Sequence, residues 1–254
     1  MLRIFALYGL LLLGTLMPTL TVVFAAATEP AAARDAGDTN ADKTVILVWG
    51  DSLSAAYGIP IEQGWVSLLQ EKLGEAYQVI NGSISGETTI GGLTRLPKAL
   101  EDYQPDYLLL ELGANDGLRG LSTTNMQDNL NQMIEQAQQA GAEVVLLGIR
   151  IPPNYGMVYT QKFDQVFSDL ASQHEIPLLP FLLDKVALNY DLMQEDGLHP
   201  TAEAQPMILE NVWPVLEPVL LGEAASGRDA DQHMATGEQP VPAPDHADTA
   251  DAAD

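Results

Sequence analysis

The chain has 254 residues, 46% hydrophobic and 18% charged, which is enough apolar material for an ordinary globular core. Its 35 acidic against 11 basic residues give a formal net charge of -24, which repels phosphate backbones and anionic membranes and argues against a nucleic-acid partner. The absence of cysteine excludes disulfides, a cysteine nucleophile, thiolate metal sites and a lipobox anchor.

Met1-Leu2-Arg3 opens the chain, an apolar run extends from Ile4 to Phe24, and Ala25-Ala26-Ala27 follows. One positive charge, an apolar stretch and a small-residue site form the pattern of a secretory leader. A signal peptide over residues 1–27, cleaved after Ala27, is therefore expected. An uncleaved anchor is the alternative, because the run approaches spanning length. Pro18 and the alanine site favour cleavage, so no stable membrane insertion is expected afterwards and the product is placed in the periplasm or secreted. Residues 28–42 are rich in Ala, Asp and Thr without apolar periodicity and read as a disordered linker. Residues 223–254 carry eight acidic residues and one Arg and read as a disordered acidic tail. Residues 43–222 remain as a single domain of usual size, expected to be a monomer.

Within that domain, Thr44 to Trp49 is a continuous apolar run, the signature of a strand buried on both faces. Trp65, Leu68, Leu69 and Leu73 then fall at helical spacing. Tyr77 to Ile80 reads as a short strand, and Leu93, Leu96 and Leu100 mark a second helix. Tyr107 to Leu112 is another apolar run, followed by a helical stripe of Met126, Leu130, Met133, Ile134 and Ala137. Glu143 to Ile149 is a fourth strand, Phe163, Val166, Phe167 and Leu170 a further helix, and Ile176 to Phe181 a last short strand. A final helix follows His199-Pro200-Thr201, with Thr201 placed to cap it. Strands alternating with helices predict an α/β domain: a parallel sheet with helices on both faces. Ligands of such sheets bind beyond the carboxyl ends of the strands.

Polar groups stand at four of those ends. Gly50-Asp51-Ser52-Leu53-Ser54 follows the first strand, and Ser85-Gly86-Glu87-Thr88 the second. Gly113-Ala114-Asn115-Asp116 follows the third, and Asp196-Gly197-Leu198-His199-Pro200 comes after the last. A serine nucleophile needs a base, and the base needs a carboxylate to fix its tautomer. An Asp three residues before a His supplies both, although the spacing alone also fits a capping arrangement. Of the four histidines, His199 alone sits in a strand-end loop before a helix. Ser52 reads either as a helix cap or as a hydroxyl exposed on a tight turn, with Ser54 the better cap. Asn115 reads either as a turn residue or as an amide donor to an oxyanion. Gly86 reads either as a turn glycine or as a backbone N–H free to join that donor set. Their joint occurrence at one sheet edge favours the chemical readings.

These blocks resemble those of the SGNH (GDSL) hydrolases, in order and in spacing. The similarity spans about residues 44–220. Glu111 to Gly120, Ile149 to Gly156 and Pro177 to Phe181 are similar to the branch of bacterial periplasmic thioesterases, lysophospholipases and arylesterases. The resemblance implies a three-layer α/β/α, flavodoxin-like fold around a five-stranded parallel sheet. It implies a Ser52, Asp196 and His199 triad, and an oxyanion hole of Ser52, Gly86 and Asn115. One departure is Ala114, where that branch has a second glycine. The implied reaction is two-step hydrolysis of small-molecule acyl esters or thioesters, including lysophospholipids and aryl esters, with no metal or cofactor. No G-x-S-x-G elbow, G-x-G-x-x-G turn or H-E-x-x-H pair points to another chemistry. Leu118, Leu121, Tyr155, Met157 and Val158 are apolar residues in strand-end loops and are expected to line an acyl-chain groove. The alternatives are a carbohydrate or peptidoglycan O-acetylesterase, and a non-catalytic binding module on the same scaffold.

Overall fold

The computed structural model describes residues 43–235, with side chains through 222. The stretches expected to be leader and linker, and the chain beyond 235, lie outside the described residues. Five strands form one parallel sheet: β1 (Thr44–Gly50), β2 (Tyr77–Asn81), β3 (Tyr107–Glu111), β4 (Glu143–Leu147) and β5 (Leu178–Leu179). Their order is β2-β1-β3-β4-β5, so the chain reverses its direction of travel across the sheet between β1 and β3. β3 is buried along its whole length and β1 from Ile46 onward, as their apolar runs predict. Each fully buried Leu of β3 contributes roughly 1.5–3 kcal/mol. β5 is shorter than its apolar run, because Pro177 and Pro180 flank it and offer no N–H to the ladder.

The helices are α1 (Trp65–Leu73), α2 (Thr89–Tyr103), α3 (Ala114–Leu118), α4 (Thr123–Gln139), α5 (Met157–His174) and α6 (Gln205–Ala235). α1 packs on α6, and α2, α4 and α5 pack in a row, giving the two outer layers. The α4 stripe Met126, Leu130, Met133, Ile134 and Ala137 is the buried face, as its spacing predicts. The α6 backbone runs on into the stretch read as an acidic tail. Among the described residues, no helix is long and apolar enough to cross a membrane.

Three local expectations are corrected. No helix follows β1 directly; residues 51–58 form tight turns, with Ala55 N–H donating to Asp51 O and Tyr57 N–H to Ser52 O. Ser54 therefore caps nothing and is buried, its hydroxyl donating to Glu111. Thr201 makes no side-chain cap, and a 3-10 turn (Ala202–Ala204) separates it from α6. Instead Gln205, the first residue of α6, accepts the Trp65 N–H at 3.0 Å and so caps α1 across the layer.

Candidate active site

The reversal between β1 and β3 opens a crevice at their carboxyl ends. Ser52 stands just past β1, and Asn115 just past β3 in the first turn of α3. Residues 193–200 form a loop closed by an antiparallel bridge between Met193 and Pro200, and it brings Asp196 and His199 over the same edge. Gln194 anchors the loop: its amide donates to Tyr57 O at 2.8 Å and to Pro200 O at 2.9 Å. The Tyr57 ring lies on the His199 ring, with centroids 4.4 Å apart.

The three side chains form one connected chain. His199 Nε2 is 2.9 Å from Ser52 Oγ, and His199 Nδ1 is 2.6 Å from Asp196 Oδ2. Asp196 Oδ1 accepts the backbone N–H groups of Leu198 and His199 at 2.9 and 3.0 Å. With both carboxylate oxygens engaged, the tautomer that fits has Nδ1–H on Asp196 and a free Nε2 lone pair toward the serine hydroxyl. Burial raises the Asp196 carboxyl, but hydrogen bonds from the His199 ring and from both N–H groups outweigh it and lower the pKa from 3.8 to about 2. A carboxyl depressed in the folded state contributes its full stability above the unfolded value, and loses it as pH falls through the folded value. Asp196→Asn is thus expected to melt below the parent at neutral pH, with the gap closing between pH 3.8 and about 2. Solvent exposure of the carboxylate keeps that gap small. Parallel thermal melts measure it, and a gap constant with pH would remove the charge as its cause.

Gly86 and Asn115 are brought to the same edge by a shared clamp. Asp116, buried beside Asn115, accepts Thr89 N–H at 2.8 Å and Thr89 Oγ1–H at 2.6 Å, and so caps α2 from α3. Arg119 donates to Gly86 O at 3.0 Å. Gly86 has φ +80°, a conformation that side chains disfavour, and its N–H makes no backbone hydrogen bond among the described residues. The Asn115 amide donates to Asp51 Oδ2 at 3.0 Å, which leaves its second N–H available. Burial raises the Asp51 carboxyl to about 6, against the lowering effects of the Leu53 N–H, the Asn115 amide and His199. Ala114 lies in helical conformation rather than at positive φ, so its methyl adds no backbone strain; it lines the crevice.

Beside Ser52 and His199 lies a cavity of about 480 Å³. Leu118, Ile149, Ile151, Phe181, Leu183 and Met193 are among the residues of its apolar wall. Of the five residues expected in an acyl groove, Leu118 is at this wall, and Leu121, Tyr155, Met157 and Val158 are not. Met157 and Val158 open α5 and face solvent, 72% and 68% exposed. Tyr155 and Tyr159 serve the loop from behind, their hydroxyls donating to Leu118 O and Leu121 O. The rest of the wall comes from the segments after β4 and β5. Tyr57, Gln194 and Asp116 were also not singled out from sequence; the Asp after Asn115 was the available signal for the last.

The GDSL-like Lipase/Acylhydrolase family model matches residues 48–205. The chain belongs to this family. It is a hydrolase, and it is 49% identical over 178 residues to Esterase TesA of Pseudomonas aeruginosa, covering 69% of this chain and 89% of that one. It is 41% identical over 175 residues to the thioesterase 1/protease 1/lysophospholipase L1 of Escherichia coli, covering 69% and 84%. Among solved structures, the psychrotrophic esterase EstA from Pseudoalteromonas matches with a TM-score of 0.67 and 44% identity, over 70% of this chain and 99% of that one. The sheet and the layers expected from the strand and helix pattern are thus those of the family.

Proposed function

We propose that the protein is a serine esterase and thioesterase that cleaves medium- and long-chain acyl groups through an acyl-enzyme. The observation that carries this reading is the unbroken chain of Ser52 Oγ, His199 and Asp196, at 2.9 and 2.6 Å, at the mouth of an apolar cavity. His199 Nε2 takes the Ser52 proton as Oγ attacks the acyl carbonyl carbon. The carbonyl oxygen becomes an oxyanion held by the N–H groups of Ser52 and Gly86 and by the Asn115 amide. Its collapse breaks the bond to the alcohol or thiol, which leaves with the proton from Nε2. Water then attacks the acyl-Ser52 carbonyl, giving its proton to His199, and the second collapse releases the carboxylic acid and restores Oγ–H. Asp196 holds the ring and stays ionised throughout. The names of the relatives above, esterase and thioesterase/lysophospholipase, support ester and thioester carbonyls as the substrate class. The N-terminal leader pattern supports action outside the cytoplasm.

The apolar wall favours acyl chains over acetyl groups on sugars, because a chain buried there gains about 0.8 kcal/mol per methylene. Ala187 lines the same cavity, so a larger side chain there shortens it. A p-nitrophenyl ester series from acetyl to palmitoyl, beside long-chain acyl-CoA and a lysophospholipid, tests the reading. The parent is expected to prefer medium or long chains, and Ala187→Trp to lose about tenfold or more in kcat/KM on long chains while keeping acetyl ester turnover. A parent active on acetyl esters alone would favour the carbohydrate O-acetylesterase instead. An unchanged chain profile in Ala187→Trp would place the acyl chain elsewhere.

A further inference from the structure

Beneath Ser52 lies a carboxyl group that the proposed reaction does not use. Glu111 ends β3 opposite Gly50 of β1 and is fully buried. It fits because Gly50 has no side chain: a Cβ there would stand 2.4 Å from Glu111 Oε2. Oε2 takes both of the side chain's hydrogen bonds, from Asp51 N–H at 3.2 Å and from Ser54 Oγ–H at 2.7 Å. Oε1 has no hydrogen-bond partner among the described residues. Asp51, its equally buried neighbour, is endowed differently: Oδ1 accepts Leu53 N–H and Oδ2 accepts the Asn115 amide, both at 3.0 Å.

Two buried carboxylates this close repel one another, with no water between them to screen the charge. Asp51 has a donor on each oxygen and is the better anion. A charge on Glu111 would leave Oε1 buried without a donor, the costlier arrangement. We infer that Glu111 is a positioning residue that works as a neutral carboxylic acid, bracing the Gly50–Ser54 turn and leaving Asp51 as the anion that aims Asn115. The second half of this inference rests on Asn115 being an oxyanion donor, as proposed above. Beyond the pair itself, the charged groups that face Asp51 are His199 from the 193–200 loop, which favours its charge, and Asp116 from α3, which opposes it. Burial, and then repulsion from Asp51, push Glu111 well above the ordinary carboxylate range, whereas the donors on Asp51 limit its rise to about 6. At neutral pH Asp51 is ionised and Glu111 keeps its proton. Ionising Glu111 at alkaline pH sets a second charge against Asp51 and disturbs Asn115.

The test combines infrared spectroscopy of the intact protein with kcat and KM across the neutral-to-alkaline range, for the parent and Glu111→Gln. The expected parent spectrum at neutral pH shows the carbonyl stretch of a protonated carboxylic acid, and this band is missing from Glu111→Gln. The variant, a neutral isostere, keeps kcat within about fivefold at neutral pH, the equivalent of one altered hydrogen bond, and holds its activity to higher pH than the parent. A parent without the acid band overturns the inference, whether or not the variant folds. So does a folded Glu111→Gln variant whose kcat falls as far as that of Asn115→Ala with KM unchanged, because a needed charge would then have been removed. The band does not depend on Ser52: an active Ser52→Ala variant would sink the triad and leave the acid band in place.

Discussion

Ser52→Ala is expected to lower kcat by about a million-fold while leaving the fold intact. Ser52 Oγ is the hydroxyl within reach of His199 Nε2, at 2.9 Å, and replacing it removes the atom that forms the acyl bond in the proposed reaction. His199 then holds a proton acceptor with nothing to activate. The oxyanion donors and the cavity remain, so a residual acceleration of about a thousandfold or more over water is expected. Ser52 is half-buried on a turn and, among the described side chains, its hydroxyl bonds His199 alone, so the melting temperature should hardly change. Because the three groups act as one unit, Ser52→Ala combined with His199→Ala should be little worse than either alone. Steady-state kinetics on a p-nitrophenyl ester, with burst titration of the parent, measure this. A Ser52→Ala variant that kept more than about one hundredth of the parent kcat would rule out the serine as nucleophile.

Asn115→Ala is expected to cost about a hundred- to a thousandfold in kcat with little change in KM. The reason is differential: the free N–H of its amide meets an oxygen that becomes charged only in the transition state. The amide is already oriented by Asp51 Oδ2 at 3.0 Å, so no reorganisation is needed when the charge develops. Truncation also strips a donor from a buried carboxylate, which should move Asp51 further upward. Separate determination of kcat and KM on one medium-chain ester decides the matter. A loss confined to KM would make Asn115 a ground-state binding contact and not an oxyanion donor.

Much of this architecture was legible in advance because parallel strands buried on both faces must be apolar along their whole length. Leu108 to Leu110 and Val144 to Leu147 are such runs, and they lie on interior strands of the sheet. The helical stripes were legible for a related reason: one face packs and the other is wet. Short elements were harder to read. α3 is five residues long and begins in what looked like a turn, and the segment after Ser52 turns without forming a helix. In neither is there room for an apolar period to declare itself.

The sequence by itself determined the fold class, the five strands and the polar residues at their ends, because local periodicity and burial are written into consecutive positions. It also determined the order of the four blocks, and so the family. Only the tertiary structure decided what surrounds them. Gln194 meets Tyr57 across 137 positions, and Gln205 caps Trp65 across 140. Phe181, Leu183 and Met193, not Met157 and Val158, reach the cavity wall. Glu111 and Asp51 become a buried pair because β1 and β3 pair in a register that sets Gly50 opposite Glu111. Such contacts depend on how distant segments are laid side by side, and no window along the chain contains both partners.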